Sequence, residues 1–143
     1  MMSKINLRKL SQKDISKLYD FLLFFEKTAI MNYGKFNWEW IRTHKYISSN
    51  DIQIKCTTKN HKANYFRFCT NKINGINDYT YHFMRHIRNA FAHGNIGKCG
   101  ANTFIINDFK KKKDGTFETT MTAKIDAKYF WQIIDIIKNS LNK

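Results

Sequence analysis

Hydrophobic side chains recur at the spacing of an α-helix near both ends of the chain. Ser11 and Asp14 have the spacing of a capping box, and the residues that follow carry an apolar stripe of Ile15, Leu18, Leu22, Phe25 and Ala29. Near the other end, Asp126 is a capping residue for the apolar positions Phe130, Ile133, Ile134, Ile137 and Leu141. These patterns predict a first helix over residues 11–30 and a last helix that begins after Asp126.

A third helix is predicted in the middle of the chain, over residues 77–93. Asn77 or Asp78 provides the N-terminal cap, and Gly94 provides a left-handed C-terminal cap. Between the caps lies one broad apolar arc of Phe83, Met84, Ile87, Ala90 and Phe91. This helix is therefore predicted to be amphipathic, with the arc in the core.

Two runs of alternating apolar and polar residues flank Asp114-Gly115. Phe104 and Ile106 belong to the first run, and Phe117, Thr119 and Met121 belong to the second. Asp-Gly between such runs predicts a β-hairpin directly before the last helix.

Residues 32–74 have a weaker periodicity. Trp38, Trp40, Ile41 and Ile47 have the spacing of a helix, as do Phe66, Cys69 and Ile73, whereas Ile52, Ile54 and Cys56 alternate as in a short strand. We predict that this region is mostly helical. The complete pattern then predicts a mainly all-α fold, a helical bundle with one β-hairpin before the final helix. At 143 residues and with no linker-like segment, residues 1–143 are expected to form a single domain.

The chain carries 25 Lys and Arg against 11 Asp and Glu, a formal net charge of +14. This charge favours a polyanionic partner, with nucleic acid first and an anionic membrane second. Only five of the basic residues are arginines, which are the side chains that bind phosphate in a bidentate way. The arginines are therefore more informative than the lysines.

The longest uninterrupted apolar run is Phe21 to Phe25. A bilayer span needs about 20 such residues, so no transmembrane segment and no membrane partner are expected. The three cysteines are an odd number without zinc-like spacing, and the N-terminal residues lead into no apolar signal core. These features predict a cytoplasmic protein with reduced thiols.

A polar stripe runs along the predicted central helix. His82, Arg85, His86, Asn89 and His93 fall within about 100° of its circumference. Such a stripe is usually the solvent face of an amphipathic helix, which is the simpler interpretation for His82 and His86. His93 differs because it ends the helix, where the helix dipole favours a protonated imidazole suited to proton transfer.

Residues 88–93, Arg-Asn-Ala-Phe-Ala-His, resemble the R-x4-6-H motif of the HEPN superfamily. The motif ends an amphipathic helix that Gly94 closes, and an extended insertion and an apolar terminal helix follow it. This arrangement is similar to small prokaryotic HEPN proteins found on plasmids and in toxin or phage-defence loci.

The resemblance implies a four- or five-helix bundle that dimerises so that two motifs line a shared cleft. It also implies an endoribonuclease that needs no metal or other cofactor and leaves a 2′,3′-cyclic phosphate. His93 would act as acid or base, Arg88 would clamp the phosphate and Asn89 would orient the groups. The implied partners are RNA, a second copy of the chain and, in toxin systems, a cognate antitoxin. One branch of HEPN toxins has a tyrosine two residues after the histidine as the target of its antitoxin, but this position is Asn95 here.

On a regular helix, Arg88 and His93 lie about 140° apart. They reach one phosphate only if the last turn unwinds, if Arg88 reaches around the helix, or if a second copy of the helix contributes.

Further candidates for RNA binding are Arg85, His82, His86 and the run Lys110, Lys111, Lys112 and Lys113. The lysine run is equally well interpreted as a solvated hairpin tip. A metal site formed by His82, His86 and a third ligand such as His93 is geometrically possible, but the spacing lacks the glutamate of an H-E-x-x-H motif.

Two other functions compete with the nuclease. One is a catalytically inactive HEPN module that binds nucleic acid, a nucleotide or a protein. The other is a basic helical protein that binds DNA or RNA and in which the motif is coincidental.

Overall fold

The structure, a computed structural model, describes residues 10–55, 63–141 and 143, and it contains a large β-sheet. Its strands are β1 (Ile52–Lys55), β2 (Asn64–Phe68), β3 (Ile96–Cys99), β4 (Thr103–Lys111) and β5 (Phe117–Asp126). They form one five-stranded sheet in the order β1-β2-β5-β4-β3. The β1–β2 pair is parallel and the other neighbours are antiparallel. The prediction of a mainly all-α helical bundle is therefore wrong.

The three long helices that the sequence predicted are confirmed. They are α1 (Gln12–Phe24), α4 (Tyr79–Ala92) and α5 (Ala127–Asn139), and two short helices, α2 (Trp38–Arg42) and α3 (Lys45–Ser49), lie between α1 and α4. A π-helical turn over Phe25–Ala29 and a 3-10 turn over Ile30–Asn32 extend α1. The capping box of α1 is present, since Ser11 Oγ accepts the Asp14 N–H at 3.0 Å and the Asp14 carboxylate accepts the Ser11 N–H. Asp78 caps α4 and Asp126 caps α5.

The prediction of a mostly helical region over residues 32–74 is wrong. It holds only the two five-residue helices α2 and α3 and, in the described part, the strands β1 and β2. The alternation of Ile52 and Ile54 marks a strand, as one interpretation of the sequence had it, while Cys56 lies outside the described residues. The helical spacing of Phe66, Cys69 and Ile73 was misleading, because Phe66 belongs to β2 and pairs with Ala123 of β5. Short strands gain their stability from such partners, which local periodicity does not reveal.

The predicted hairpin is confirmed as β4 and β5, which pair from Thr103↔Asp126 to Lys111↔Phe117. The ladder contains a bulge. Asp108 pairs with Met121 and Phe109 pairs with Thr119, so Thr120 has no partner in β4. The Thr120 carbonyl instead accepts the Cys69 N–H at 2.9 Å, which ties the end of β2 to the bulge.

The helices cover one face of the sheet. Every second residue is buried over 104–108 of β4 and 121–125 of β5, including Phe104, Ile106, Met121 and Ala123, whereas the strand ends at the hairpin tip are exposed. α4 contacts β4, and α5 contacts both β4 and β5. An ion pair of 2.8 Å between Asp14 and Lys98 joins α1 to β3. Within the described part of the chain, no helix has the length and apolar character needed to cross a bilayer.

Candidate functional site

The R-x4-H motif occupies the last turn of α4, and this turn is regular. The His93 N–H donates to the Asn89 carbonyl at 3.0 Å, the ordinary α-helical bond. The Gly94 N–H then bonds to the Phe91 carbonyl and the Asn95 N–H to the Ala90 carbonyl, which is the Schellman arrangement, with Gly94 at φ +72°. The helix does not unwind before His93. Of the three ways for Arg88 and His93 to meet, the first is therefore not used.

Arg88 is held by two neighbouring side chains. Its Nε donates to Glu26 Oε1 at 3.2 Å, and its Nη1 donates to Asn89 Oδ1 at 3.1 Å. Arg88 and Glu26 side chains are each about 40% exposed, so this ion pair adds little stability but does orient the guanidinium. Within the described ranges, Arg88 Nη2 has no partner. His93 is exposed at the helix end, and we name Arg88, Asn89 and His93 the motif end of α4.

An exposed apolar stripe lies beside the motif end. Tyr19, Leu23 and Ile30, named here the α1 stripe, are 56%, 54% and 45% exposed. Glu26, the partner of Arg88, lies between Leu23 and Ile30 in the chain. The Tyr19 ring packs edge-on against Phe91 of α4, with 5.2 Å between ring centroids. The α1 stripe and the motif end therefore form one continuous surface.

His82 and His86 are buried, so their interpretation as solvent-face residues is wrong. Each is only 1% exposed. His86 Nδ1 lies 2.7 Å from Asp108 Oδ2, and His86 Nε2 lies 2.7 Å from the Cys69 carbonyl. Both neighbours are hydrogen-bond acceptors, so both contacts are satisfied when the ring carries two protons and the Asp108 carboxylate balances its charge.

His82 is arranged differently. Its Nε2 lies 2.7 Å from the Asn71 carbonyl, while its Nδ1 accepts a bond from Arg85 Nε at 3.3 Å. This pattern requires a neutral ring with its proton on Nε2. Burial lowers the pKa of His82 from 6.5, and the nearby charges of Arg85 and His86 lower it further, against the opposing effect of the Asn71 bond. A neutral His82 can therefore orient Arg85.

Asp108 is a site residue that the sequence analysis did not single out. It is buried on β4, where its carboxylate binds His86, accepts the Phe109 N–H at 3.0 Å and lies 3.5 Å from Asn89 Nδ2. The sequence did contain a signal for Asp108, namely its position in the alternating pattern of the predicted strand. Asp108 follows Phe104 and Ile106 at the inward-facing positions of a predicted strand, where a carboxylate requires a buried partner. Asp108 connects the buried histidine to the motif end through Asn89.

A cleft of about 690 Å³ opens between α4, the end of β2 and the bulged part of the hairpin. Of the predicted site residues it brings together His82, Arg85, His86, Asn89 and Lys110. Arg88 and His93 do not line it. Further lining side chains include Thr70, Ile73, Tyr81, Asp108, Phe109, Glu118 and Thr120.

Lys110 and Lys111 end β4, and Lys112 and Lys113 lie in the hairpin turn, all four exposed. Lys110 alone of these four reaches the cleft. As for a metal, nowhere in residues 10–55, 63–141 or 143 do three His, Cys, Asp or Glu side chains converge as a ligand set.

The chain matches a known protein family over the region that contains the motif end and the cleft. A family model described as HEPN pEK499 p136 matches residues 16–143. No curated protein and no solved structure matches the chain. The matched range runs from α1 to the end of the chain and includes the R-x4-H motif, so the chain belongs to the HEPN pEK499 p136 family.

Proposed function

We propose that the chain is an endoribonuclease of the HEPN type that cuts RNA without a metal ion and works as a homodimer. The observation that supports this best is the combination at the motif end. Arg88 is oriented by Glu26 and Asn89, its Nη2 has no partner among the described residues, and His93 is exposed at the end of the same helix.

The chemistry needs a base, an acid and a cation. The base removes the proton of a 2′-OH, the 2′-oxygen attacks the adjacent phosphorus, and the acid protonates the departing 5′-oxygen. The products are a 2′,3′-cyclic phosphate and a 5′-OH. An exposed imidazole such as His93 is suited to either proton transfer. Arg88 Nη2 would donate to a phosphate oxygen, where charge builds up during the attack.

The regular end of α4 supports the proposal of a dimer. Arg88 and His93 of one chain diverge by about 140°, and the helix does not unwind to reduce this angle. A second copy docked on the α1 stripe would bring a second motif to the same surface. One imidazole would then act as the base and its symmetry mate as the acid. The family resemblance further predicts a toxin or phage-defence role in which a cognate antitoxin restrains the activity.

The test is cleavage of a labelled tRNA pool and a structured RNA in excess chelator. We expect product ends with 2′,3′-cyclic phosphates, and a loss of at least about 100-fold in Arg88→Ala and His93→Ala. Arg42→Ala is the matched control, since Arg42 is an exposed arginine that pairs with Glu39 on α2. It should cleave as the wild type does.

Cleavage that persists in His93→Ala would contradict the assigned role. If the wild type binds RNA as a dimer but does not cut it, the chain is instead a non-catalytic HEPN module.

A further inference from the structure

The cleft beside α4 shares Asn89 with the motif end, but not Arg88 or His93, and it has the size of a ligand pocket. Its volume of about 690 Å³ lies within the range of small-molecule sites. Arg85 lies one helical turn before Asn89, so it belongs to the part of α4 that faces the sheet. Arg88 and His93 are absent from the lining. The cleft therefore needs an explanation of its own.

Arg85 is the residue in this cleft that most needs a partner. Its Nε donates to His82 Nδ1, and its Nη2 comes only to 3.5 Å from His86 Nε2. Among the described residues, no carboxylate lies within ion-pair distance of Arg85. The Asp108 carboxylate in the same cleft is occupied by His86 and the Phe109 N–H. The Arg85 guanidinium is thus free to bind an anion in a bidentate way.

The surrounding structure holds Arg85 in position. His82 is 1% exposed and is fixed by the Asn71 carbonyl, so the acceptor it offers to Arg85 Nε cannot move away. His86 is fixed on both sides, by Asp108 and by the Cys69 carbonyl. Two buried histidines therefore fix the α4 wall of the cleft and the segment that follows β2. A ligand site that is ordered in advance loses less entropy on binding.

The bulge in the hairpin shapes the opposite wall. Asp108 and Phe109 are neighbours in β4 and would face opposite sides of a regular sheet. Because of the bulge opposite Thr120, both line the same cleft. Bulges of this kind redirect side chains and are common beside binding sites. As a result, the aromatic residue Phe109 lines the cleft together with Lys110 and with Glu118, the cross-strand partner of Lys110.

From this chemistry we propose that the cleft binds one nucleotide unit, with its phosphate on Arg85 and Lys110 and its base against Phe109. A guanidinium, an aromatic ring and the neutral side chains of Asn89, Thr70 and Thr120 match the phosphate, base and sugar of a nucleotide. The unit is either an unpaired residue of RNA or a free nucleoside monophosphate. The proposal does not depend on cleavage at the motif end.

The test is isothermal titration calorimetry with three probes: uridine 5′-monophosphate, a short oligouridylate and inorganic phosphate. We expect Arg85→Gln to lower the affinity for each probe that binds by about tenfold or more, because charge-assisted hydrogen bonds are lost. Phe109→Ala should weaken the two nucleotide probes and leave inorganic phosphate unchanged. Arg42→Gln is the matched control and should bind the monophosphate as the wild type does. Arg88→Gln tests whether the monophosphate binds at the motif end instead of in the cleft.

The probes also distinguish the source of the nucleotide. If the oligonucleotide binds more tightly than the monophosphate, the cleft takes a residue of RNA, and equal binding indicates a free nucleotide. The proposal is overturned if neither nucleotide probe binds at millimolar concentration, or if Arg88→Gln weakens monophosphate binding while Arg85→Gln does not. Arg85→Lys is a second variant that keeps the positive charge at this position. It should bind more weakly than the wild type but more tightly than Arg85→Gln, and this ranking distinguishes loss of the guanidinium from misfolding.

Discussion

The two ends of the polar stripe on α4 have opposite environments. In its first half, His82 and His86 are 1% exposed, and their ring nitrogens bind backbone carbonyls and Asp108. At its other end, His93 is exposed, and the neighbouring Arg88, which lies beside the stripe, is half-exposed. The two halves look alike in the sequence, because both place imidazoles and other polar side chains on the same stripe of the helix.

The difference shows how burial assigns a role to a histidine. A buried imidazole whose nitrogens are both engaged fixes the structure around it, and it has no free atom to exchange protons with a substrate. An exposed imidazole has that freedom. The comparison therefore predicts that changes in the first half of the stripe reduce stability, and that changes in the last turn reduce activity.

Removal of Asp108 is expected to have the largest effect on the buried half of the stripe. Asp108→Ala leaves the buried His86 ring and the Phe109 N–H without their acceptor. We expect a loss of at least about 2 kcal/mol in the free energy of unfolding, because each unsatisfied buried donor costs about 1–3 kcal/mol. Urea denaturation measures this loss. The matched control is His93→Ala, which should change the free energy of unfolding by no more than about 0.5 kcal/mol. Equal effects of the two substitutions would remove the distinction between the halves.

The surface beside the motif end is tested next. Leu23→Glu places a charge in the α1 stripe, and burying an unpaired charge at an interface costs several kcal/mol. We therefore expect a dimer of the wild type to become a monomer in sedimentation experiments, with loss of RNA cleavage. Phe117→Glu is the matched control, because Phe117 is similarly exposed, at 51%, but lies at the hairpin tip. A dimer that survives Leu23→Glu would show that copies associate elsewhere.

The protonation of His82 provides a second test of the buried half of the stripe, through the pH dependence of stability. Its pKa is lowered in the folded state by burial, so below about pH 6.5 the unfolded chain binds a proton that the folded chain does not. The free energy of unfolding should then fall with decreasing pH by up to about 1.4 kcal/mol per unit. His82→Gln should flatten this slope in denaturation between about pH 7 and about pH 5. An unchanged slope in the variant would contradict the assignment.

Asp14 acts in a separate pH window. Burial opposes ionisation of Asp14, but the hydrogen bonds from Lys98 and Ser11 outweigh it and lower the pKa of the carboxyl below 3.8. This contribution to stability is present above about pH 3.8 and is lost as the pH falls through the lowered value. It therefore does not interfere with the histidine measurement.

The smallest effect is expected at the hairpin tip. Replacing Lys111, Lys112 and Lys113 with serine should leave the free energy of unfolding within about 0.5 kcal/mol of the wild type, because these side chains are exposed. RNA affinity should fall, and its logarithmic salt dependence should decrease by roughly 0.7 to 0.9 for each lysine that contacts a phosphate. An unchanged salt dependence would identify the run as a solvated turn.

The fold was predictable where a local signal was sufficient. The capping box of Ser11 and Asp14 and the apolar stripe behind it predicted α1, and Asp114-Gly115 predicted the hairpin. β3 follows α4 almost directly and contains Gly97, so it has no clear alternation. It pairs with β4 over Ile96↔Ile106 to Cys99↔Thr103. β1 and β2 are also short, and their place in the sheet depends on pairing with residues far away in the chain.

The sequence alone predicts the caps, the three long helices, the hairpin and the position of the R-x4-H motif at a helix end. These features depend on residues within a few turns of each other, whose interactions are local. Long-range packing places the hairpin in a five-stranded sheet and buries His82 and His86 while His93 stays exposed. It also paired Asp108 with His86, 22 residues apart, because burial and ion pairing depend on which distant segments pack together.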